Sequence, residues 1–328
     1  MGSVMEEQRA WGKVILLGEH AVVYGVPAIA VGIERGAHAV ATALPAGSTS
    51  RLVIEGFPIE IVEDDAERDL ARAFRAILEP TRAAHAVTTS WHVAVRADLP
   101  PGGGLGCSAA LGVAIARALD PEADDAQIRE RAMQWEKVFH GNPSGIDTAV
   151  ALSGGSIFFE DGKITPLLLP PEGFTLCVGH SGTASSTKSM VEAVARMRAR
   201  RPEIVEKTFV GIRSLVENAR LALEAGDITG LGRLMDLNQM LLAGLFLSTQ
   251  ELEQMCSLAR DAGALGAKLT GAGGGGCVVA LVPNAEIAEA VLAAWKGEGF
   301  LGFSTRVAPS EERRSLTPEP EPEQSATP

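Results

Sequence analysis

Residues 99–111, "LPPGGGLGCSAAL", constrain this chain more than any other stretch. Two prolines and four glycines precede an alanine-rich run, so nearly bare backbone leads directly into what reads as a helix. Glycine has no Cβ and tolerates positive φ, which lets main-chain N–H groups close on an anion. The helix behind it adds unpaired N–H donors and the positive end of its dipole. Phosphate is the ligand that such an arrangement favours. Ser108, at or just inside the helix, can cap the backbone or coordinate a Mg²⁺ that bridges phosphates. Taken alone, the glycines need only tighten a strand-to-helix connection. The loop is not a Walker A sequence, which requires G-x-x-x-x-G-K-[ST]. A second run fits G-x-G-x-x-G at Gly271, Gly273 and Gly276, but the "CVVALV" that follows reads as a strand. A dinucleotide fingerprint opens a helix, so that reading fails on context.

The chain has 328 residues, of which 46% are hydrophobic and 21% charged, enough for one large domain or two moderate ones. Its formal net charge of -12 argues against a sequence-independent nucleic-acid or anionic-membrane surface, because both need clustered Lys and Arg, and leaves room for local cationic sites. Cys107, Cys177, Cys256 and Cys277 are widely spaced, with no CxxC pair, which speaks against structural zinc and a disulfide framework. No apolar run approaches the roughly 20 residues of a membrane span. The first residues lack a long uncharged core, and the expectation is a reduced, cytoplasmic protein.

Before the glycine loop, "KVILLG", "AIAVGI", "AHAVATAL", "RLVIEG" and "SWHVAVRA" read as separate strands. "DDAERDLARAFRAIL" reads as a helix from the spacing of Leu70, Phe74, Ile77 and Leu78. After the loop come two helices, "SAALGVAIARAL" and "DDAQIRERAMQWEKVF", the second capped by Asp124 or Asp125. "GGSIFFEDGKITPL" predicts a hairpin turning at Asp161-Gly162. "FTLCVGH" predicts a buried strand, and amphipathic helices follow from Thr187 to about Ala262. "AKLTGAGGGGCVVALV" reads as strand, loop and strand, and "AEIAEAVLAAWKGEG" as a last helix. The pattern is two α+β halves divided near residues 155–175. From Pro309 the chain is rich in Pro, Glu, Ser and Thr with little to bury, and the expectation for 309–328 is disorder.

Three separated stretches together resemble the GHMP small-molecule kinases. They are "GKVILLGEHAVVYGVPAIA" at 12–30, the glycine loop with "HGNPSGID" at 140–147, and "KLTGAGGGGC" at 268–277. The resemblance covers most of the chain and implies an α+β protein with the two-domain GHMP kinase fold. A ribosomal-protein-S5-like domain would occupy 1–160 and a ferredoxin-like domain 161–308, with the active site between them. The implied cofactors are ATP and Mg²⁺. ATP would contact Lys13, Pro101, Gly102, Gly103, Gly104, Leu105, Gly106, Cys107 and Ser108. Ser108 and Glu136 match the family's metal ligands, and both are hard oxygen donors suited to Mg²⁺.

Asp147 is similar to the family's catalytic base and Lys13 to its cationic partner. As a lone residue, Asp147 also reads as an N-cap for "TAVAL" and Glu136 as a solvated helix position. Glu19, His20, Asp147 and Thr187 match positions on the acceptor side, with Ser181 and Lys188 as further candidates for a substrate carboxylate. The Gly-Glu-His wording implies mevalonate as the small-molecule acceptor, ahead of homoserine or galactose, and the alternative within the family is a phosphomevalonate or homoserine kinase. A catalytically silent nucleotide sensor on the same fold is the competing class. Trp11 stands where the family commonly has proline and Cys107 where it often has serine. Neither departure touches the implied catalytic pair. The helices from Glu203 to Leu247 offer a face for pairing two copies.

Overall fold

The computed structural model describes residues 6–100, 102–141 and 143–309. Pro101 and the acidic tail beyond Pro309 therefore lie outside the described residues. In chain order, β1 (Gln8–Leu17) turns back through a short 3₁₀ segment, Ala21–Tyr24, into β2 (Ala28–Ala43). There follow β3 (Arg51–Ile54), β4 (Ile61–Val62), α1 (Asp69–His85) and β5 (Trp91–Ala97). The glycine loop then enters α2 (Cys107–Leu119), succeeded by α3 (Asp125–His140), α4 (Ile146–Ser153) and the hairpin β6 (Ser156–Glu160) and β7 (Lys163–Pro166). The remainder is β8 (Phe174–His180), α5 (Thr187–Arg200), α6 (Pro202–Glu224), α7 (Ile228–Gly244) and α8 (Gln250–Asp261). It ends with β9 (Gly266–Thr270), β10 (Cys277–Val282), α9 (Ala285–Gly297) and β11 (Leu301–Val307).

Among the described residues, seven strands form the first sheet, in the order β4-β3-β5-β2-β6-β7 with β1 beside β2, and four form the second, in the order β11-β8-β10-β9. The hairpin thus completes the edge of the first sheet, and the chain crosses to the second between Pro166 and Phe174. Asp161 and Gly162 both take positive φ at its tip, as a tight two-residue hairpin turn requires.

Two segments read as separate strands are one strand. β2 runs unbroken for 16 residues because an irregularity in its pairing with β1 absorbs the Glu34-Arg35 interruption: Trp11 faces Gly36, while Gly12 faces Ile33. The first helix also outruns its periodicity, continuing through Pro80 to His85. Its last turn is held from outside the helix. Arg82 bonds Glu63, Ser50 and the Thr89 carbonyl, and His85 Nε2 lies 2.8 Å from Asp120.

α2 is apolar nearly all round and correspondingly buried, with Ala110, Val113, Ala114, Ile115 and Ala116 inaccessible. It packs on the first sheet and on α3, whose start carries a capping box between Asp124 and Gln127. A rigid central helix thereby fixes the direction in which the glycine loop presents its N–H groups. One continuous apolar core extends from Ala10 in β1 to Val307 in β11, so the halves share an interior.

Polar bonds join the halves as well. The Thr270 hydroxyl, 1% exposed, accepts from the Ile15 amide and donates to the Ile15 carbonyl, both at 3.1 Å. Replacing it by the isostere in Thr270→Val leaves both main-chain groups buried and unpaired. A loss of about 1–3 kcal/mol is expected from urea unfolding, with little change in m-value.

Candidate active site

Lys13 sits in β1, where its main chain pairs with Gly32 on one side and donates to the Leu105 carbonyl of the glycine loop at 2.9 Å on the other. The strand edge and the loop are therefore one hydrogen-bonded unit. The Lys13 stem lies directly on Gly106, whose φ is +73°; a Cβ there would sit 2.8 Å from Lys13 Cγ. That contact explains the last glycine of the loop. The ammonium, on a side chain 6% exposed, reaches Asp147 Oδ1 at 3.2 Å, while the Asp147 side chain is 41% exposed. Asp147 is not an N-cap. Gly145, in the left-handed conformation, takes that place, and Asp147 stands in the first turn of α4. The cation is buried and the carboxylate opens outward, an arrangement in which a hydroxyl can approach the carboxylate.

Ser108, in the first turn of α2, donates to Glu136 Oε1 at 2.5 Å and accepts from Trp135 Nε1 at 3.3 Å. Trp135 is buried against Gly112, where a Cβ would meet its ring at 2.8 Å, and so sets the spacing of α2 and α3. Glu136 is 3% exposed. Burial pushes its carboxyl above the ordinary range and the nearby Asp147 carboxylate adds to this, against the opposing Ser108 bond and the His140 and Lys13 charges. Two carboxylates thus face one ammonium. A hydroxyl and a carboxylate in such an electronegative corner fit Mg²⁺, a hard cation that takes one or two protein oxygens and fills its shell with waters and phosphate. Among the described residues no group of three or more His, Cys, Asp or Glu side chains encloses an ion. Burial, followed by Glu136, drives the Cys107 thiol up to about 11, so it remains protonated at the mouth of the loop.

The second glycine run lies back to back with the first: a Cβ on Gly104 would be 3.2 Å from the Gly271 Cα, and one on Gly271 would be 3.0 Å from the Gly104 Cα. Only glycine at both positions permits this approach. The loop after β8 closes on the same place, with Ala184 against Gly102 and the Ser185 hydroxyl bonded to the Gly273 carbonyl. Thr187 and Lys188 follow as exposed residues at the start of α5, where the Ser186 side chain accepts from the Ser189 amide. Ser181 is buried and its hydroxyl turns back on Thr183.

His20 and Glu19 occupy the turn after β1. His20 takes φ +59° and donates from Nε2 to the Ala272 carbonyl at 2.7 Å; burial lowers its pKa, leaving the ring neutral. Glu19 is 1% exposed, with its carboxylate bonded to the Lys268 ammonium and to Asn238 Nδ2. Neither Lys268 nor Asn238 was singled out from the sequence. The available signal was a lysine alternating with apolar residues in a strand, "GAKLTG", where a side chain facing the core needs a charged partner. Trp11 packs its ring on Gly154 and beneath Arg9, 3.9 Å from the ring centroid, so the departure from proline is absorbed away from Lys13.

Gly106→Ala is expected to lose about 1–2 kcal/mol through backbone strain alone. By displacing Lys13 it should also lower turnover on the order of 100-fold. Urea unfolding and a steady-state ADP-release assay read the two effects separately.

Residues 69–155 match the GHMP kinases N terminal domain and residues 219–300 the GHMP kinases C terminal. The mevalonate kinase of Thermococcus gammatolerans is 36% identical over 303 residues, 85% of this chain and 90% of that protein. The mevalonate kinase of Pyrococcus horikoshii is 35% identical over 317 residues, 90% of this chain and 93% of that one. A crystal structure of L. major mevalonate kinase in complex with R-mevalonate superposes with a TM-score of 0.79 at 27% identity, covering 93% and 97% of the two chains. The chain belongs to the GHMP kinase family and, within it, stands with the mevalonate kinases.

Proposed function

We propose that this chain is an ATP-dependent kinase that transfers the γ-phosphate to the 5-hydroxyl of mevalonate, forming 5-phosphomevalonate. The observation that carries the reading is the pairing of Lys13 with Asp147 at 3.2 Å next to the Ser108–Glu136 pair at the start of α2. The relatives at 33–36% identity across most of the chain support mevalonate as the acceptor. The two-domain division, with the site between the halves, belongs to the same proposal.

Phosphoryl transfer asks a protein mainly for positioning and charge stabilisation. The main chain of 102–108 binds the triphosphate through N–H groups at the start of a helix buried on all sides. Lys13, fixed between Leu105 and Gly106, offsets charge that develops on the transferred group. The outward-facing Asp147 carboxylate receives the proton of the attacking hydroxyl and orients its lone pair. Ser108 and Glu136 are the residues that would hold Mg²⁺, which when bound draws charge from the phosphate oxygens. Neutral His20 and the Ser181–Thr187 loop, both seated on the second glycine run, form the acceptor side. A cytoplasmic setting fits the four free cysteines. Among the described residues, no helix is long and apolar enough to cross a membrane. Pairing of two copies, through the exposed Val210, Leu221, Leu237 and Met240 of α6 and α7, is part of the proposal.

Two measurements test it. ADP release with ATP, Mg²⁺ and a panel of mevalonate, phosphomevalonate, homoserine and galactose should be fastest with mevalonate and should stop on chelation by EDTA. Faster turnover of another alcohol overturns the acceptor, and ATP binding without any turnover favours the silent sensor. Asp147→Asn should lower kcat by ~10² to 10⁴, with ATP affinity retained in a nucleotide-binding titration.

A further inference from the structure

One strand of the second half addresses the first half at every other residue. Lys268 and Thr270 lie on the same face of β9, two apart, and the carbonyl of Ala272 adds a third contact from the glycine run past the strand end. Lys268 meets Glu19, Thr270 meets Ile15, and Ala272 meets His20. Lys268 and Thr270 keep the period of two of an extended strand, Gly271 at φ +84° ends it, and the three contacts together form a seam on the end of β1 and the turn after it.

Lys268 is the costly member of the seam. It is 0% exposed, its partner Glu19 1%, and the Asn238 amide that bonds the other Glu19 oxygen at 3.2 Å is 0% exposed. The ammonium also donates to the Leu269 carbonyl at 2.5 Å. A buried ion pair often gives no more stability than apolar residues of equal volume, because desolvation offsets much of the attraction. What it supplies is a fixed distance and direction, because each charge accepts only the partner's geometry. The turn so fixed carries His20, whose ring reaches the second glycine run, and that run supports the phosphate loop at Gly104.

We propose that Lys268 is a positioning residue for the acceptor. Its ammonium holds Glu19, and through Glu19 the His20 turn, at a set distance from the phosphate loop. The proposal rests on reading the chain as an alcohol kinase. It assigns Glu19 to the support of the acceptor pocket and Asn238 to the same support from α7.

The test is the double variant Glu19→Gln/Lys268→Met, which removes both charges and leaves none buried alone. The single Lys268→Met strands a carboxylate and serves only as a folding control. Three readouts are taken: thermal unfolding, separate KM values for mevalonate and ATP, and hydrogen exchange of the amides of 18–26 and 271–276 without ligand. The double variant is expected to unfold near the wild-type temperature. Its KM for mevalonate should rise about tenfold or more and its KM for ATP stay within about twofold. Exchange in 18–26 should accelerate by about tenfold while α2 is unchanged. A wild-type KM for mevalonate, an equal rise in both KM values, or unchanged exchange overturns the positioning role. If the wild-type protein turns over no mevalonate, the functional reading fails, and the exchange comparison still decides whether Lys268 holds the turn.

Discussion

A buried ammonium beside a carboxylate is stable only where its neighbours leave it room and its main chain is tied down. Here the main chain of Lys13 is pinned between Gly32 and Leu105, and the room is made by Gly106. Everything else in the site takes its place from this arrangement. The glycine loop is drawn along the edge of β1, α2 is aimed by its packing, and Asp147 approaches from the first turn of α4. Glycine at 106 is therefore doubly determined, once by positive φ and once by the lysine stem above it.

The remainder of the site is a matter of how two sheets meet. Gly104 and Gly271 stand Cα against Cα where any side chain would force the loops apart. Thr270 satisfies both polar groups of Ile15 across the same boundary, and His20 reaches the carbonyl of Ala272. Apolar burial supplies most of the adhesion, since the core is continuous from β1 to β11. The polar bonds select one alignment among those that burial would accept.

Much of this was legible in the residues themselves. The glycine loop, the hairpin tip at Asp161-Gly162 and the helix spacing of "DLARAFRAIL" each carry a local physical signal. What escaped was decided at a distance. A run interrupted by Glu34-Arg35 reads as two strands, because nothing nearby shows that β1 will tolerate an irregularity opposite it. α1 passes Pro80 because Arg82 and His85 find partners in Glu63 and Asp120, far away in sequence. Asp147 reads as a cap until Gly145 is seen to hold the cap position. Glu19 and Lys268 are 249 residues apart, and a lysine in an apolar strand discloses a need for a partner without disclosing which.

The irregularity in β2 has a wider consequence. It turns Glu34 and Arg35 out of the ladder, so that the Glu34 amide bonds Thr305 at 3.1 Å and the Arg35 guanidinium lies 3.8 Å over the ring of Phe303. A strand already flanked by β1, β5 and β6 thereby also grips the far sheet at β11. Such a member belongs to both sheets at once, and a substitution that frees β2 from β11 therefore bears on the packing of each.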